Sequence, residues 1–274
     1  MENKRTVFFV SDRTGITAET LGHSLLTQFD GVKFRQRTVP FVDSEEKARA
    51  FVDRLDRTRQ KEGVRPILFS TLINDDAREI VQAADCLFLD FFDAFIGPLE
   101  RELEIKSSHT AGRAHGMTDY RSYTQRIDAM NFALANDDGI TTRNYGQADL
   151  VLVGVSRSGK TPTCLYLALQ YGISAANYPL TEDELKSGNL PPELLQQRDK
   201  LYGLSIHPER LQQIRQERRP DSRYASAQQI RFELNEAEAV LKKLGIPYIN
   251  TTNSSIEEIA STIIHEMGIK RRIF

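Results

Sequence analysis

The amino-acid sequence predicts an α/β protein in which an N-terminal parallel-sheet domain is followed by a P-loop kinase-like domain. Short apolar runs alternate with amphipathic helical segments, and this alternation is typical of a parallel sheet covered by helices. Residues 154–161 read GVSRSGKT, a complete match to the phosphate-binding pattern G-x-x-x-x-G-K-S/T. The alternation lapses into a polar stretch between Glu104 and Tyr120, so we expect domains at 1–105 and 106–274.

Composition and charge narrow the function classes. The chain has 274 residues, 40% of them apolar, and a net charge of −2. It can therefore bury one large core or two modest ones, and it has no global basic field that would attract nucleic acid. Its apolar runs are too short to span a membrane, and no apolar signal region follows the N-terminus. We expect a cytoplasmic protein that binds neither nucleic acid nor membranes.

The two cysteines, Cys86 and Cys164, lie far apart among apolar residues. Their spacing matches no metal-ligand pattern. We expect both to be buried thiols in a reduced protein.

The N-terminal domain should begin with a buried strand, because residues 6–10 form a compact apolar run. A helix is expected over 17–29, with Thr17 as its N-cap. Its buried face is expected to carry Leu21, Leu25 and Phe29.

Further strands of this domain are predicted at 34–42, 66–70 and 86–92. Asp43 and Glu46 have capping-box spacing and should open a helix that ends near Gly63. The apolar positions of that helix recur at i, i+3, i+4 and i+7, at Ala48, Phe51, Val52 and Leu55. Asn74 is the expected cap of the next helix, with Ala77, Ile80, Val81 and Ala84 along it.

In the C-terminal domain, a helix that ends at Gly139 should bury Ile127, Met130 and Leu134. A strand at 149–153 and a helix at 162–171, ended by Gly172, flank the glycine-rich loop. A basic helical region covers 207–244, and 246–249 resembles a strand. Ser255 and Glu258 then have capping-box spacing ahead of a helix that ends at Gly268.

The loop at 154–161 indicates a nucleotide-binding site. Gly154 and Gly159 permit a tight turn whose N–H groups point at phosphate oxygens, and the following helix dipole faces the same oxygens. Lys160 would contact the terminal phosphate and take part in catalysis, and the Thr161 hydroxyl would bind Mg²⁺. The expected nucleotide-binding residues are Gly154, Val155, Ser156, Arg157, Ser158, Gly159, Lys160 and Thr161.

A P-loop kinase also needs carboxylates, one for Mg²⁺ and one that orients or deprotonates the attacking hydroxyl. The usual apolar strand that ends in Asp is missing downstream of the loop, since 174–178 holds no acid and the later strand ends in Asn250. Asp137 and Asp138, just before the P-loop strand, are our candidates for catalysis. The alternative is a solvated helix end.

Two other polar stretches have open interpretations. Residues 11–19 follow the first strand, where open α/β sheets bind ligands, but they could equally form an ordinary turn. His109, Arg113, His115 and Asp119 could belong to an ordered loop near the active site or to a solvated linker.

Arginines are concentrated at 207–231: Arg210, Arg215, Arg218, Arg219, Arg223 and Arg231. Such a run is often a solvated helix face. Guanidinium groups after a P-loop also bind phosphorylated partners bidentately. We assign the stretch 215–223, and Arg218 with Arg219 in particular, to partner binding.

The motifs together resemble one family. SDRTGITAE at 11–19, RIDAM at 126–130, DDG at 137–139, GVSRSGKTPT at 154–163 and SIEEIA at 255–260 occur in this order. AANYP at 175–179, PERL at 208–211 and SRYAS at 222–226 add to them. In this combination the chain resembles, over essentially its whole length, the bacterial phosphoenolpyruvate synthase regulatory proteins, relatives of the pyruvate, phosphate dikinase regulatory proteins.

The resemblance implies a bifunctional enzyme. One activity is a serine/threonine kinase that uses ADP to phosphorylate a threonine beside the catalytic histidine of phosphoenolpyruvate synthase, in its phosphohistidine form, and so inactivates it. The other is a phosphorylase that removes this phosphate with inorganic phosphate as acceptor and yields pyrophosphate. ADP binding carries over to 154–161. The residues by themselves indicate only nucleotide phosphates and phosphoryl transfer.

Two other classes stay open from the residues. A small-molecule P-loop kinase would turn over without a protein acceptor, and a non-catalytic nucleotide sensor would bind ADP without phosphorylating any protein. The sequence also leaves open whether the chain forms a homodimer.

Overall fold

The structure, a computed structural model, describes residues 4–108, 120–139, 142–270 and 272. The chain forms two compact units, Met1–Gly116 and Met117–Phe274, here called the N-terminal and C-terminal units. Each contains a four-stranded parallel sheet covered by helices, so the predicted α/β class with a P-loop-like second domain is confirmed. The boundary that we placed after residue 105 stays a prediction, since 109–119 lie outside the described residues.

In the described part of the N-terminal unit, four strands alternate with four helices. In chain order they are β1 (Lys4–Ser11), α1 (Ile16–Leu26), β2 (Lys33–Val39), α2 (Glu45–Glu62), β3 (Ile67–Thr71), α3 (Asp75–Gln82), β4 (Leu87–Asp90) and α4 (Phe91–Leu103). The sheet order is β2-β1-β3-β4, with all neighbours parallel. Each segment predicted as a strand contains one.

Helix α1 faces the sheet with small side chains, so its predicted apolar face was wrong. Leu21, Leu25 and Phe29 are exposed. The buried residues are Ala18, Gly22 and Leu26. Because Gly22 has no side chain, the helix lies directly on the rings of Phe9 and Phe69, which a large residue at this position would hold away.

The start of α1 also differs from the prediction. Gly15, with φ of 80°, is the N-cap, and no side chain caps the helix, so Thr17 does not have that role. The left-handed backbone at this position favours glycine.

Helix α2 has the predicted core face and end, but a different cap. Ser44, not Asp43, accepts the hydrogen bond from the Lys47 N–H, and Asp43 instead pairs with the Lys47 ammonium at 2.6 Å. Gly63 is the left-handed C-cap, as predicted. Ala48, Phe51 and Leu55 are buried. The predicted cap of α3 is also confirmed, because the Asn74 side chain accepts from the Ala77 N–H at 2.9 Å.

The C-terminal unit has a second sheet of order β6-β5-β7-β8, again fully parallel. Its elements are α5 (Tyr120–Ala135), β5 (Leu150–Gly154), α6 (Lys160–Tyr171), β6 (Ala175–Pro179), α7 (Glu182–Ser187), α8 (Pro192–Leu195), β7 (Leu201–Ser205), α9 (Pro208–Arg218), α10 (Ala227–Leu244), β8 (Tyr248–Asn250) and α11 (Ile256–Met267).

Strand β7 was missed by the sequence analysis, although it lies beside β5 and is entirely buried. Its run of five residues includes Gly203, against which Leu241 and Tyr248 pack closely. A short run with a central glycine gives a weak strand signal. The basic region after it is not one helix, because α9 ends at Arg218 and α10 begins at Ala227.

Two helix ends in this unit follow the prediction. The end and the buried face of α5 do not, since this helix ends at Ala135 and not at Gly139. Gly172 and Gly268 are left-handed C-caps, and Ser255 with Glu258 forms a complete capping box. On α5 the fully buried residues are the small Ala129 and Ala133, whereas Leu134, predicted in the core, is exposed.

The loop after β5 lies where β5 has β6 on one side and β7 on the other. In open α/β sheets, the carboxyl ends of strands at such a switch in strand order form the ligand-binding crevice. The fold therefore places the glycine-rich loop at the position where this class of sheet binds nucleotides.

Both cysteines are buried and free, as predicted. Among the described residues, no helix is long and apolar enough to cross a membrane.

Gly22→Ala should lower the free energy of unfolding by about 1–3 kcal/mol, because the added methyl would overlap the Phe9 ring and force α1 away from the sheet. Gly97→Ala in α4 is the matched control, since a Cβ there meets only the Arg101 guanidinium at 3.7 Å. Urea unfolding of both variants measures the difference. A Gly22→Ala protein as stable as the Gly97→Ala protein would contradict the close packing of α1.

Candidate functional site: the P-loop cleft

The glycine-rich loop connects β5 to α6 and lies between buried elements. Gly154 has φ of 154°, and a side chain there would collide with the Leu204 carbonyl of β7. Gly159 is the left-handed N-cap of α6, and no side chain caps this helix. The helix therefore begins with free N–H groups and its positive dipole end, the arrangement that binds phosphate.

Two features of the loop indicate that it is shaped for a ligand. Arg157 has φ of 75°, a left-handed conformation that costs a non-glycine residue of the order of 1 kcal/mol. Ser158 is buried, and its hydroxyl has no hydrogen-bond partner among the described residues. Buried polar groups normally have partners, so an unpaired hydroxyl inside a phosphate-binding loop fits a site that is completed by a ligand.

Lys160 lies inside this loop with only 4% of its surface exposed, and its Nζ donates to the Val155 carbonyl at 2.8 Å. Burial lowers the pKa of this lysine to about 8, although the charges of Asp138 and Asp137 raise it in part. The ammonium is therefore poorly solvated, and contact with a phosphate would stabilise its charge.

The two carboxylates proposed from sequence lie beside the end of the loop. The Thr161 hydroxyl donates to Asp137 Oδ1 at 2.9 Å. Asp138 has φ of 52° and lies with Asp137 in the cleft that the loop lines. The structure thus brings Asp137, Asp138, Lys160 and Thr161 together, although their separate roles stay predictions.

Asn177, which the sequence analysis missed, connects these groups. Its Nδ2 donates to Asp137 Oδ1 at 2.5 Å, to Asp138 Oδ1 at 3.3 Å and to Thr161 Oγ1 at 3.0 Å. The Asn177 backbone also binds the turn that carries the two carboxylates. It accepts from the Gly139 N–H at 3.1 Å and donates to the Asn136 carbonyl at 3.0 Å. A buried asparagine in the apolar strand β6 was the signal that could have found it.

This group of oxygens suits a hard divalent cation. Carboxylate, hydroxyl and amide oxygens are the ligands that Mg²⁺ prefers. Asn177 Oδ1 is buried without a hydrogen-bond partner among the described residues. The same part of the chain holds no group of three or more His, Cys, Asp or Glu residues that could bind a metal by themselves.

The opposite side of the loop is held by a buried arginine. Arg215 is fully buried, and its guanidinium donates to the Ser156 carbonyl at 3.0 Å, the Tyr224 carbonyl at 3.0 Å and Glu233 at 2.7 Å. It also stacks on the Tyr224 ring at 4.1 Å. Our assignment of 215–223 to partner binding was therefore wrong for Arg215, which supports the loop from within.

Arg218 and Arg219 remain candidates for partner binding. Both are exposed at the end of α9 and line the same cleft of about 660 Å³ as the P-loop and the two aspartates. Within the described part of the chain, neither guanidinium has a carboxylate at ion-pair distance. Arg223, by contrast, lines a different surface and pairs with Glu182 at 3.0 Å.

The strand next to β5 does not supply the missing acid. Strand β7 ends in Ser205, whose hydroxyl donates to Glu238 at 2.7 Å. Thr251, after β8, donates to the Ser158 carbonyl at 3.1 Å and the Ser205 carbonyl at 3.0 Å. A P-loop NTPase often has its Mg²⁺-binding aspartate on such a strand, and here only a serine stands there.

Of the other candidate stretches, the structure describes only residues 11–19. Residues 11–19 belong to the N-terminal unit, where the Asp12 carboxylate accepts from the Ile73 N–H at 3.2 Å and Glu19 accepts from the Thr38 hydroxyl at 2.7 Å. These bonds fit the structured-turn interpretation. His109, Arg113, His115 and Asp119 lie outside the described residues.

The fold and this cleft define a P-loop α/β protein, the class that binds nucleotide phosphates at the start of a helix. The chain belongs to the kinase/pyrophosphorylase family, whose sequence model matches residues 7–264. This membership places it among phosphotransferases and confirms the family resemblance of its motifs.

Curated relatives match the full length of the chain and are named phosphoenolpyruvate synthase regulatory proteins, a name given to them provisionally. The relative from Alkalilimnicola ehrlichii is 57% identical over 100% of this chain and 99% of its own. That from Laribacter hongkongensis is 54% identical over 99% and 100%, and that from Legionella pneumophila strain Corby is 52% identical over 98% and 100%.

Glu233→Ala should lower the free energy of unfolding by about 3 kcal/mol, because it leaves the buried Arg215 charge without its counter-ion. Arg223→Ala is the control, since it breaks a pair in which the arginine side chain is 75% exposed and should cost less than about 1 kcal/mol. Chemical denaturation compares the two variants. Similar losses for both would contradict a structural role for the Arg215–Glu233 pair.

Proposed function

We propose that this protein is a bifunctional regulator of phosphoenolpyruvate synthase. As a kinase, it transfers the β-phosphoryl group of ADP to a threonine of the synthase, and as a phosphorylase it removes that group with inorganic phosphate. The observation that carries the proposal is the cleft itself, in which the P-loop, two aspartates and two arginines face one volume. Family membership and the names of the full-length relatives support the choice of substrate protein.

Both reactions balance without any further reactant. In the kinase reaction the threonine oxygen bonds to the β-phosphorus, the bond from that phosphorus to the bridging oxygen breaks, and AMP leaves. In the phosphorylase reaction an oxygen of inorganic phosphate bonds to the phosphothreonine phosphorus, and pyrophosphate leaves as the threonine hydroxyl re-forms. In each case the entering hydroxyl loses a proton, for which a carboxylate is a suitable acceptor.

Each group of residues in the cleft has its own role in this proposal. The N–H groups at the start of α6 and the Lys160 ammonium bind and neutralise the phosphates. Thr161 and Asp137 are the residues that would hold Mg²⁺, which supplies further charge neutralisation when bound. Asp138 borders the same cleft and is the candidate base for the threonine hydroxyl. Asn177 keeps the two carboxylates and Thr161 in one arrangement through its three donated hydrogen bonds.

The phosphohistidine of the synthase is the proposed ligand of Arg218 and Arg219. A phosphohistidine beside the target threonine is a dense anion, and a guanidinium binds such a group through two parallel hydrogen bonds. These arginines line the cleft without a carboxylate partner in the described part of the chain, so their charges are free for this role.

Labelled ADP tests the proposal against its alternatives. The full chain is incubated with β-labelled ADP and phosphohistidine synthase, and separately without synthase. We expect label on a synthase threonine, and its release as labelled pyrophosphate when phosphate replaces ADP. Turnover without synthase would indicate a small-molecule kinase, and ADP binding without transfer a nucleotide sensor. Either result would overturn the proposed function.

Asp137→Asn or Asp138→Asn should lower kinase turnover about a hundredfold or more, on the order expected for losing a metal ligand or a base. ADP affinity should change less, because the loop and Lys160 would make most of the phosphate contacts. Asp183→Asn, at an exposed position of α7, is the matched control. If both cleft variants keep wild-type rates in single-turnover assays, an acid elsewhere has this role.

ADP affinity should fall as the pH rises above about 8, the pKa of Lys160. Contact with phosphate favours the charged ammonium and raises this pKa, so binding takes up a proton between the two values. Affinity is therefore level below about 8 and falls by up to about tenfold per pH unit above it. Calorimetry across this range measures the slope, and Lys160→Ala should remove it. A wild-type slope equal to that of the variant would contradict the assignment.

Replacing Arg218 and Arg219 together by Ala should weaken binding of phosphohistidine synthase and flatten the salt dependence of that binding, while ADP affinity stays unchanged. Affinity for the synthase is measured at two ionic strengths. Arg223→Ala is the control, because Arg223 lies on another surface. Unchanged affinity and salt slope in the double variant would make these two arginines ordinary surface residues.

A further inference from the structure

A second concave surface lies wholly within the N-terminal unit, where the edge strand β2 meets the second half of α2 above the start of β1. Its volume is about 220 Å³. Five of the side chains that line it are cationic: Arg35, Arg37, Arg54, Arg57 and Lys61. We call it the cationic pocket.

The backbone fixes this grouping. Arg35 and Arg37 are two residues apart on β2, so they share one face of the sheet, and they pair in register with Thr6 and Phe8 of β1. Helix α2 packs on this face, where the Phe8 and Phe51 rings lie edge to face at 5.6 Å. Arg54, Arg57 and Lys61 follow one another at helical spacing along α2. The Arg54 guanidinium lies over the Phe8 ring, 5.5 Å from its centre.

Among the described residues, Glu62 is the only carboxylate that lines the pocket, and it is already engaged. Glu62 accepts from the Thr6 N–H at 3.1 Å, from the Thr6 hydroxyl at 2.5 Å and from Arg35 at 3.3 Å. Among the residues that the structure describes, no carboxylate lies at ion-pair distance from Arg37, Arg54, Arg57 or Lys61. The pocket therefore keeps a strong excess of positive charge.

This excess is not a general property of the helix or of the chain. Other cations of α2 have acidic partners: Lys47 pairs with Asp43 at 2.6 Å, Arg49 with Glu45 at 3.2 Å and Arg59 with Asp85 at 2.9 Å. The whole chain has a net charge of −2. Like charges that converge on a concave surface repel one another and raise the local concentration of anions.

We propose that the cationic pocket binds a compact phosphate anion, free or at the end of a nucleotide, separately from the P-loop cleft. Four of its five cations are arginines, whose planar forks bind phosphate oxygens through paired hydrogen bonds. The volume suits one or two phosphate groups, since it is smaller than the pockets that enclose drug-sized ligands and about a third of the 660 Å³ of the P-loop cleft.

Calorimetry with the full chain tests this site. The background variant is Lys160→Met, which weakens binding at the P-loop cleft. Methionine keeps an apolar chain at this buried position. Inorganic phosphate, pyrophosphate and ADP are titrated into this protein. The pocket variant adds Arg37→Ala with Arg57→Ala, and the control variant adds Arg49→Ala with Arg59→Ala, which removes the same charge from paired positions. If the background variant does not fold, the same pairs are compared in the wild-type chain with a two-site fit.

We expect pyrophosphate to bind with a stoichiometry of one and its affinity to fall roughly tenfold or more in the pocket variant, with little change in the control. Comparing the affinities of phosphate, pyrophosphate and ADP then shows whether the bound phosphate group belongs to a free phosphate compound or to a nucleotide. Absence of saturable binding, or equal losses in both variants, would overturn the proposal. So would pocket-dependent binding of an acidic peptide when none of the phosphates binds, which would indicate a carboxylate-bearing protein partner.

Discussion

The arrangement of the candidate site depends on the hydrogen bonds of one amide. Asn177 in β6 joins the turn that carries Asp137 and Asp138 to the first turn of α6 at Thr161. Two carboxylates at such close range repel each other, and a shared amide donor offsets this repulsion while fixing where their oxygens point. Without it, Asp137 would keep its bond to the Thr161 hydroxyl, but Asp138 would lose the amide that holds it beside Asp137.

A second constraint acts on the other side of the same loop. The buried guanidinium of Arg215 uses the Ser156 carbonyl, the Tyr224 carbonyl and Glu233 as acceptors, and the Tyr224 hydroxyl lies 3.0 Å from the Ser156 hydroxyl. Helices α9 and α10 are thereby connected to the P-loop through one buried cation. Since α9 also ends at Arg218 and Arg219, the position of the proposed partner-binding residues is tied to the position of the loop that binds phosphate.

Much of the fold could be predicted from local sequence patterns, and the failures have physical causes. The P-loop, its flanking strand and helix, and the glycine helix ends were predictable because each depends on a few residues with special backbone requirements. The buried faces of α1 and α5 were not, because alanine and glycine at the sheet contact have low hydrophobicity, whereas the leucines that suggested a core face are exposed. Strand β7 has only five residues, and Gly203 interrupts them, so its sequence alone does not identify it as a strand.

Only those parts of the candidate site that belong to a short sequence motif, or that the expected reaction requires, could be predicted. The roles proposed for Lys160 and Thr161 follow from the motif, and the two aspartates were found by asking which acid a kinase still lacked. Asn177 and Arg215 were missed as supports, because their partners lie 40 residues (Asp137) and 59 residues (Ser156) away in the chain. No periodicity or spacing rule connects residues at such separations, so only the folded sheet reveals that they meet.

The left-handed backbone of Arg157 has a consequence for how tightly nucleotides bind. Arg157 adopts a conformation that is unfavourable for a residue other than glycine, and the loop is held in it by the guanidinium and hydroxyl bonds to its neighbour Ser156. The loop therefore loses its conformational entropy when the protein folds and not when the nucleotide binds. Substitutions in α9 or α10 that loosen this support should thus weaken nucleotide binding from a distance, through a more disordered free state and without loss of any direct contact.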